Sequence, residues 1–188
     1  MRAVLIGLAT LASILPATQV IAHVRDPDIV VDGKGLVREY YGVPLDLTLK
    51  QLAKLPFRHK VGKEMGEGSY YPIAIITARK EVKIKVSFSN RGTLFRFETS
   101  TPGALGLHGL GVGSTLAELQ KAFPSRRPYW GMTPHEEYYA TFGTGTRLTY
   151  HFSPFDLPKE AWSRDPKQYE LDPSIKVKKI KITPITAY

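Results

Sequence analysis

The sequence predicts an α+β fold built from two tandem units, each with one short helix and a three- to four-stranded antiparallel sheet. Two observations predict this class. A helix-start pattern occurs twice, and each occurrence is followed by short runs that alternate apolar and polar residues. Each set of runs then ends at a Thr-Pro pair, Thr101-Pro102 in the first unit and Thr183-Pro184 in the second. We therefore expect the units at residues 42–102 and 103–188.

Both helix starts have the form of a capping box. Thr48 is followed three residues later by Gln51, and Thr115 is followed by Glu118. In such a box the hydroxyl and the later side chain satisfy each other's free backbone N–H groups. A proline follows each apolar pattern and ends the helix. The predicted helices cover 48–55 and 115–123.

The strand predictions rest on alternation. Residues 82–88 alternate strictly, as expected for a strand with one buried face. The stretch between each helix and the next tyrosine pair is predicted to be irregular. Residues 23–41 are predicted to add one or two edge strands. A Pro- and Asp-rich insertion is expected at 154–173. The predicted strands are 72–76, 82–88 and 94–98 in the first unit, and 140–142, 148–152 and 177–182 in the second.

A family resemblance follows from the second helix start. Residues 111–119 read GVGSTLAEL, a glycine-rich opener that runs into a capped helix and then into a meander of strands. This arrangement, found twice in one chain, resembles the β-lactamase inhibitory protein type of architecture. The resemblance implies a protein-binding sheet surface rather than a catalytic pocket.

The first 22 residues have the layout of a signal peptide. Arg2 supplies a positive charge, residues 3–15 carry none, and Ala22 offers a small residue before a cleavage site. The apolar run is shorter than the roughly 20 residues that a membrane-spanning helix needs. We therefore predict cleavage after Ala22 and a periplasmic protein that is not integral to the membrane, with secretion as the alternative.

The net charge limits the classes of partner, and the cysteine content limits the kinds of chemistry that the chain can use. The formal net charge is +9, which attracts acidic proteins, anionic cell-wall polymers or lipid headgroups. Nucleic acid is not expected, because the lysines are spread and form no recognised basic motif. The chain has no cysteine, so it cannot use disulfides, thiol catalysis or thiolate metal sites.

The sequence contains no pattern typical of an enzyme. Residues 109–115 are glycine-rich but lack the lysine of a phosphate-binding loop. The histidines do not have the spacing of a zinc site. Glu136 and Glu137 are adjacent, so in an extended segment they point to opposite faces and cannot act as a pair. We expect no catalytic residue, metal or cofactor, and a hydrolase is the least favoured class.

Aromatic and arginine residues are the strongest functional signal, because these types concentrate binding energy in protein interfaces. Two tyrosine pairs lead into strands, with one tyrosine of each pair expected to face inward. An arginine pair precedes Tyr129-Trp130 in a predicted loop. The sequence thus predicts a non-enzymatic protein that binds or inhibits an acidic envelope protein; the alternative is a module for an anionic ligand or polymer. The candidate binding residues are Tyr70, Tyr71, Arg126, Arg127, Tyr129, Trp130, Tyr138 and Tyr139.

Overall fold

A computed structural model describes most of the chain. It covers residues 28–66, 68–132, 138–158, 160 and 170–184. The predicted signal peptide lies outside the described residues, as do Glu136 and Glu137 and much of the predicted insertion. No helix in the described ranges is long and apolar enough to cross a bilayer.

The described residues form eleven strands and two α-helices. The strands divide into a large and a small antiparallel sheet. The two α-helices, α1 with four residues and α2 with seven, both begin at a capping box. The elements are β1 Ile29–Val31, β2 Val37–Tyr40, β3 Val43–Pro44, α1 Leu49–Leu52, β4 Arg58–Gly66, β5 Ser69–Thr77, β6 Lys83–Phe88, β7 Leu94–Thr99, α2 Leu116–Ala122, β8 Pro128–Met132, β9 Tyr138–Gly143, β10 Leu148–Phe152 and β11 Val177–Ile182.

The large sheet has eight strands in the order β4-β5-β6-β7-β11-β10-β9-β8. Strand β7 pairs with β11, so Thr99 lies opposite Ile180 and Phe97 opposite Ile182. This pairing joins strands from the N-terminal and C-terminal parts of the chain into one sheet. The small sheet, β1-β2-β3, is separate from it.

The predicted fold class is therefore wrong. The protein is mostly β, with an eight-stranded sheet, a three-stranded sheet and two short helices in the described ranges, not two tandem helix-plus-sheet units. The error has a physical cause: alternation identifies a strand and its buried face, but it does not identify the strand's partner. The N-terminal strands, expected at an edge of the main sheet, form the small sheet instead.

Both capping boxes are confirmed. Thr48 N donates to Gln51 Oε1 at 2.8 Å, and Thr115 N donates to Glu118 Oε2 at 2.7 Å. Helix α2 is further held by Leu116 N, which donates to Ile175 O at 2.9 Å. This bond fixes the helix start beside the segment that leads into β11.

One hydrophobic core lies on a single face of the large sheet, here called the core face. Tyr40 of the small sheet packs edge-on against Phe97 of β7, with ring centroids 6.1 Å apart. The Tyr40 hydroxyl also donates to Leu105 O at 2.7 Å. The small sheet thus covers the core face, and α1 and α2 contribute Leu52, Leu116 and Leu119 to the same core.

Strands β4 and β8 occupy the two edges of the large sheet, where irregular structure was predicted. Most side chains of β4 are exposed, so its sequence carries no alternation to detect. Strand β8 begins at Pro128, and proline is tolerated at the start of an edge strand. Strand β4 lacks the buried face that makes central strands visible in a sequence.

Candidate protein-binding face

The second face of the large sheet is lined by polar and charged side chains, and we call it the polar face. Its residues follow from the register, because side chains of paired residues in neighbouring strands point to the same face. One row across the sheet runs from Lys60 through Ile75, Lys85, Glu98 and Lys181 to Thr149.

Three side chains on this face form a compact group, the Tyr71 cluster: Tyr71, Phe95 and Arg96. The rings of Tyr71 and Phe95 meet edge to face, with centroids 5.1 Å apart. Arg96 Cζ lies 6.0 Å from the Tyr71 centroid and 5.7 Å from the Phe95 centroid. Arg96 Nη1 also donates to the Tyr71 hydroxyl at 3.3 Å. The guanidinium is therefore held in place by both rings, at the distance of a cation–π contact.

A β-bulge places Phe95 in this cluster. The β6–β7 register pairs Ser87 with Arg96 but Phe88 with Leu94, so Phe95 is the extra residue. A bulge re-aims a side chain while the strands on either side stay paired. Phe95 is consequently 38% exposed, whereas Phe97 is buried in the core.

Four alternating charges cross the polar face, a row we call the charge ladder: Glu64, Lys85, Glu98 and Lys179. Lys85 Nζ donates to Glu64 Oε1 at 2.7 Å and lies 3.9 Å from Glu98 Oε1. Lys179 Nζ lies 3.4 Å from Glu98 Oε2. The ladder thus links β4, β6, β7 and β11, and it passes beside the Tyr71 cluster.

Glu64 connects the ladder to the cluster. It lies directly opposite Tyr71 in the β4–β5 register. The hydrogen bond from Lys85 is the main cause that lowers the pKa of Glu64 below its usual range, and the charges of Lys85 and Arg96 add to it against the effect of burial. The carboxylate therefore stays ionised at neutral pH and fixes Lys85.

A groove, here called the basic groove, lies at the β4 edge of the same sheet. Its cavity has a volume of about 450 Å³. Ile75 and Thr77 lie in its middle strand, and basic side chains stand in the strands on both sides. The lining residues are Arg58, His59, Lys60, Ile75, Thr77, Glu81 and Lys83.

The polar face of the other four strands, β8 to β11, has a different character. His151 lies between Thr141 and Lys179 in the register. Burial lowers the pKa of His151 to about 3, and the charges of Lys181 and Lys179 contribute to this shift. The imidazole is therefore neutral at physiological pH. Apart from the lysines of β11, the polar side chains described in this region are hydroxyl-bearing residues and this neutral ring.

The first predicted tyrosine pair lies on β5, and the structure separates its members. Tyr71 belongs to the cluster on the polar face. Tyr70 is 63% exposed and lies opposite Met65 near the end of the β4–β5 hairpin. By the register the two tyrosines point to opposite faces, as alternation predicts, but Tyr70 on the core side does not reach the core, because the hairpin extends beyond the part of the sheet that the core covers.

The predicted loop around residues 126–130 is partly a strand, since Tyr129 and Trp130 belong to β8. Tyr129 is 56% exposed on the polar face, whereas Trp130 is 3% exposed and belongs to the core. Arg126 lies against the β9–β10 turn, where a Cβ at Gly145 would collide with its guanidinium. Arg127 donates to Pro124 O at 3.5 Å. These residues do not form one cluster with Tyr71.

The second tyrosine pair begins β9. The backbone of Tyr138 pairs with Met132, and that of Tyr139 pairs with Gly131. The side chains of both tyrosines lie outside the described part of the structure.

Sequence reasoning missed Phe95 and Arg96 as site residues. Their signal was present: an aromatic residue beside an arginine in a predicted strand. Strict alternation, however, places Phe95 on the same side as Phe97, and only the bulge separates them. Among the described residues, no group of three or more His, Asp or Glu side chains is arranged to hold a metal ion.

Comparisons with known proteins add a structural likeness. No protein-family model matches the sequence, and no curated protein matches it. The chain is similar to the crystal structure of the uncharacterized protein yfeY from Escherichia coli, with 16% sequence identity and a TM-score of 0.48. The match covers 78% of this chain and 96% of that chain.

Proposed function

We propose that this protein is a non-enzymatic binding protein that holds an acidic envelope protein against its polar face, with the Tyr71 cluster at the centre of the contact. The observation that carries the proposal is the cluster itself. Tyrosine and arginine are the residue types that dominate binding energy in protein interfaces, and Phe95 adds an exposed apolar ring beside them.

The geometry of the cluster supports this role. Both rings and the hydrogen bond to Tyr71 hold the Arg96 guanidinium before any partner arrives. A side chain that is already ordered loses less conformational entropy on binding. The cluster is therefore suited to pair with a carboxylate and to pack against an apolar side chain of the partner.

The charge around the cluster supports an acidic partner. Basic side chains outnumber carboxylates on the polar face between β4 and β11, and the whole chain carries +9. Such a surface speeds association with an acidic protein and disfavours a basic one. The signal-peptide pattern of residues 1–22 supports an encounter in the periplasm.

Site-specific photo-crosslinking tests the proposal. Phe95 is replaced by p-benzoylphenylalanine, which keeps an aromatic ring at that position. Tyr129→p-benzoylphenylalanine is the matched control, because Tyr129 is an exposed aromatic residue on the polar face of the other half. We expect irradiation of living cells to give one discrete adduct from position 95, with an acidic protein, and none of the same mass from position 129.

Cross-linking at different salt concentrations then tests whether charge attraction contributes to a contact with one specific partner. The Debye length falls from about 10 Å at 0.1 M salt to about 3 Å at 1 M. We expect the position-95 adduct to decrease as salt rises in extracts, while its mass stays the same. Equal adducts from both positions, or an adduct only with basic proteins, would contradict the proposal.

A further inference from the structure

The basic groove carries an inference independent of the Tyr71 cluster. Arg58 and Lys83 lie on either side of Thr77 in one row of the register, and Lys60 lies opposite Ile75 in the next. Neighbouring strands are about 4.8 Å apart, so cations on β4 and β6 flank the middle strand at about 10 Å from each other. Lysine and arginine side chains are long enough to converge over Thr77 from both sides.

The charges in the groove do not cancel. Arg58 Nη2 lies 3.0 Å from Glu81 Oε2, and of the residues that the structure describes Glu81 is the only carboxylate that lines the cavity. Within the described ranges, neither Lys60 nor Lys83 has a carboxylate within ion-pair distance of its ammonium group. Three cations and one carboxylate give the groove an excess of two positive charges, which a dianion would neutralise.

The size of the groove and the residues at its base indicate what the uncharged part of a ligand would be. A volume of about 450 Å³ is far larger than a bare anion requires. Ile75 offers an apolar surface, and the Thr77 hydroxyl is a hydrogen-bond donor beside it. The ligand that fits has a doubly charged head and a partly apolar body.

We propose that the basic groove binds a phosphate monoester. A monoester with a second pKa near 6 is a dianion at neutral pH and offers three acceptor oxygens. The Arg58 guanidinium matches two of these oxygens, and Lys60 and Lys83 supply point charges for the remaining one. The ester substituent lies over Ile75. A soluble phosphate ester and a lipid headgroup with a terminal phosphate share this chemistry.

Calorimetric titration of the whole protein at pH 7.5 tests the proposal. The probes are phenyl phosphate, inorganic phosphate and benzoate; benzoate has the same ring but a single charge. We expect phenyl phosphate to bind at least threefold more tightly than inorganic phosphate, because of its ring, and at least tenfold more tightly than benzoate. Vesicles of phosphatidylcholine with and without phosphatidic acid then distinguish a lipid source from a soluble one.

Matched variants locate the site. Arg58→Gln and Lys83→Gln are each expected to weaken phenyl phosphate binding at least tenfold. Lys178→Gln removes an exposed lysine that pairs with Asp156 outside the groove, and Phe95→Ala alters the Tyr71 cluster; both are expected to leave binding unchanged. Circular dichroism confirms that each variant is folded.

Loss of phenyl phosphate binding in the groove variants alone supports the proposal, whichever source the vesicle arm favours. Benzoate binding as tight as that of phenyl phosphate, an equal loss in Lys178→Gln, or no measurable phosphate binding would each overturn it. None of these results bears on the Phe95 cross-link, so the two proposals stand or fall separately.

Discussion

The polar face of the large sheet differs between its two halves. On β4 to β7 it carries the Tyr71 cluster, most of the charge ladder and the basic groove. On β8 to β11 it carries Thr141, Thr149 and a neutral His151, with the lysines of β11 at the seam. Both halves share one antiparallel ladder and one core.

This difference lies in the side chains and not in the backbone, because both halves belong to one antiparallel sheet. Every second side chain of a strand is committed to the core, and the remaining side chains are free to vary. The β4–β7 half uses them for charged and aromatic groups, and a bulge adds Phe95. Among its described residues the other half carries threonines, the neutral His151 and one exposed aromatic ring, that of Tyr129, besides the lysines of β11.

Truncating the two neighbouring phenylalanines of β7 should give the largest contrast. Phe97 is 1% exposed and pairs across the seam with Ile182. Phe97→Ala is expected to lower the free energy of unfolding by about 3–5 kcal/mol, the range for a buried phenylalanine. Phe95→Ala is expected to cost less than about 1 kcal/mol, because its ring already meets solvent. Urea unfolding measures both; equal losses would contradict the assignment of the two rings to opposite faces.

Lowering the pH should distinguish a group in each half, because His151 and Glu64 stop stabilising the fold at different pH values. The pKa of His151 falls from 6.5 to about 3 on folding, so the unfolded chain binds the extra proton between these values. Stability from this group is complete above pH 6.5 and is lost as the pH falls toward 3. We expect His151→Gln to reduce the loss between pH 7 and pH 4 by about 1–3 kcal/mol.

The corresponding group in the charged half is Glu64. Its pKa is lowered on folding, so its contribution is present above its ordinary value of 4.5 and is lost only as the pH falls below that value. Glu64→Gln should therefore match the parent's pH dependence between pH 7 and 5 and differ from it in more acidic solution. If His151→Gln has the same dependence of stability on pH as the parent, the burial of His151 is contradicted.

The smallest expected effect is at the charge ladder. Glu98 is 8% exposed and lies between Lys85 and Lys179. Glu98→Gln is expected to cost about 1–2 kcal/mol, since it leaves the two lysines facing each other with one carboxylate fewer. The control is Glu81→Gln, which removes an exposed ion pair with Arg58 and should cost under about 0.5 kcal/mol. Chemical denaturation in low and high salt compares them.

Particular residues show what the sequence allows and what it hides. The alternation of residues 82–88 and 148–152 predicts β6 and β10, because each strand has one face in the core. Thr48 and Thr115 predict both helix starts for the same local reason. Tyr71 is recognisable as a candidate binding residue by type alone.

The rest depends on contacts between distant parts of the chain. Phe97 and Ile182 are far apart in sequence, and their pairing is what converts two predicted sheets into one. Strand β4 is invisible to alternation because it is an edge strand. Arg96 joins Tyr71 only through the folding of β5, β6 and β7 side by side, and the bulge that adds Phe95 has no local signature.

The affinity of the cross-linked partner for matched variants tests the central claim most directly. With the partner purified and salt held at a fixed concentration, we expect Phe95→Ala and Arg96→Gln each to weaken binding by about 2 kcal/mol, roughly thirtyfold in Kd. Tyr129→Ala should leave Kd within about twofold of the parent. If Tyr129→Ala weakens binding as much as Phe95→Ala does, or if neither cluster variant changes Kd, the polar face of β4 to β7 is not the binding surface.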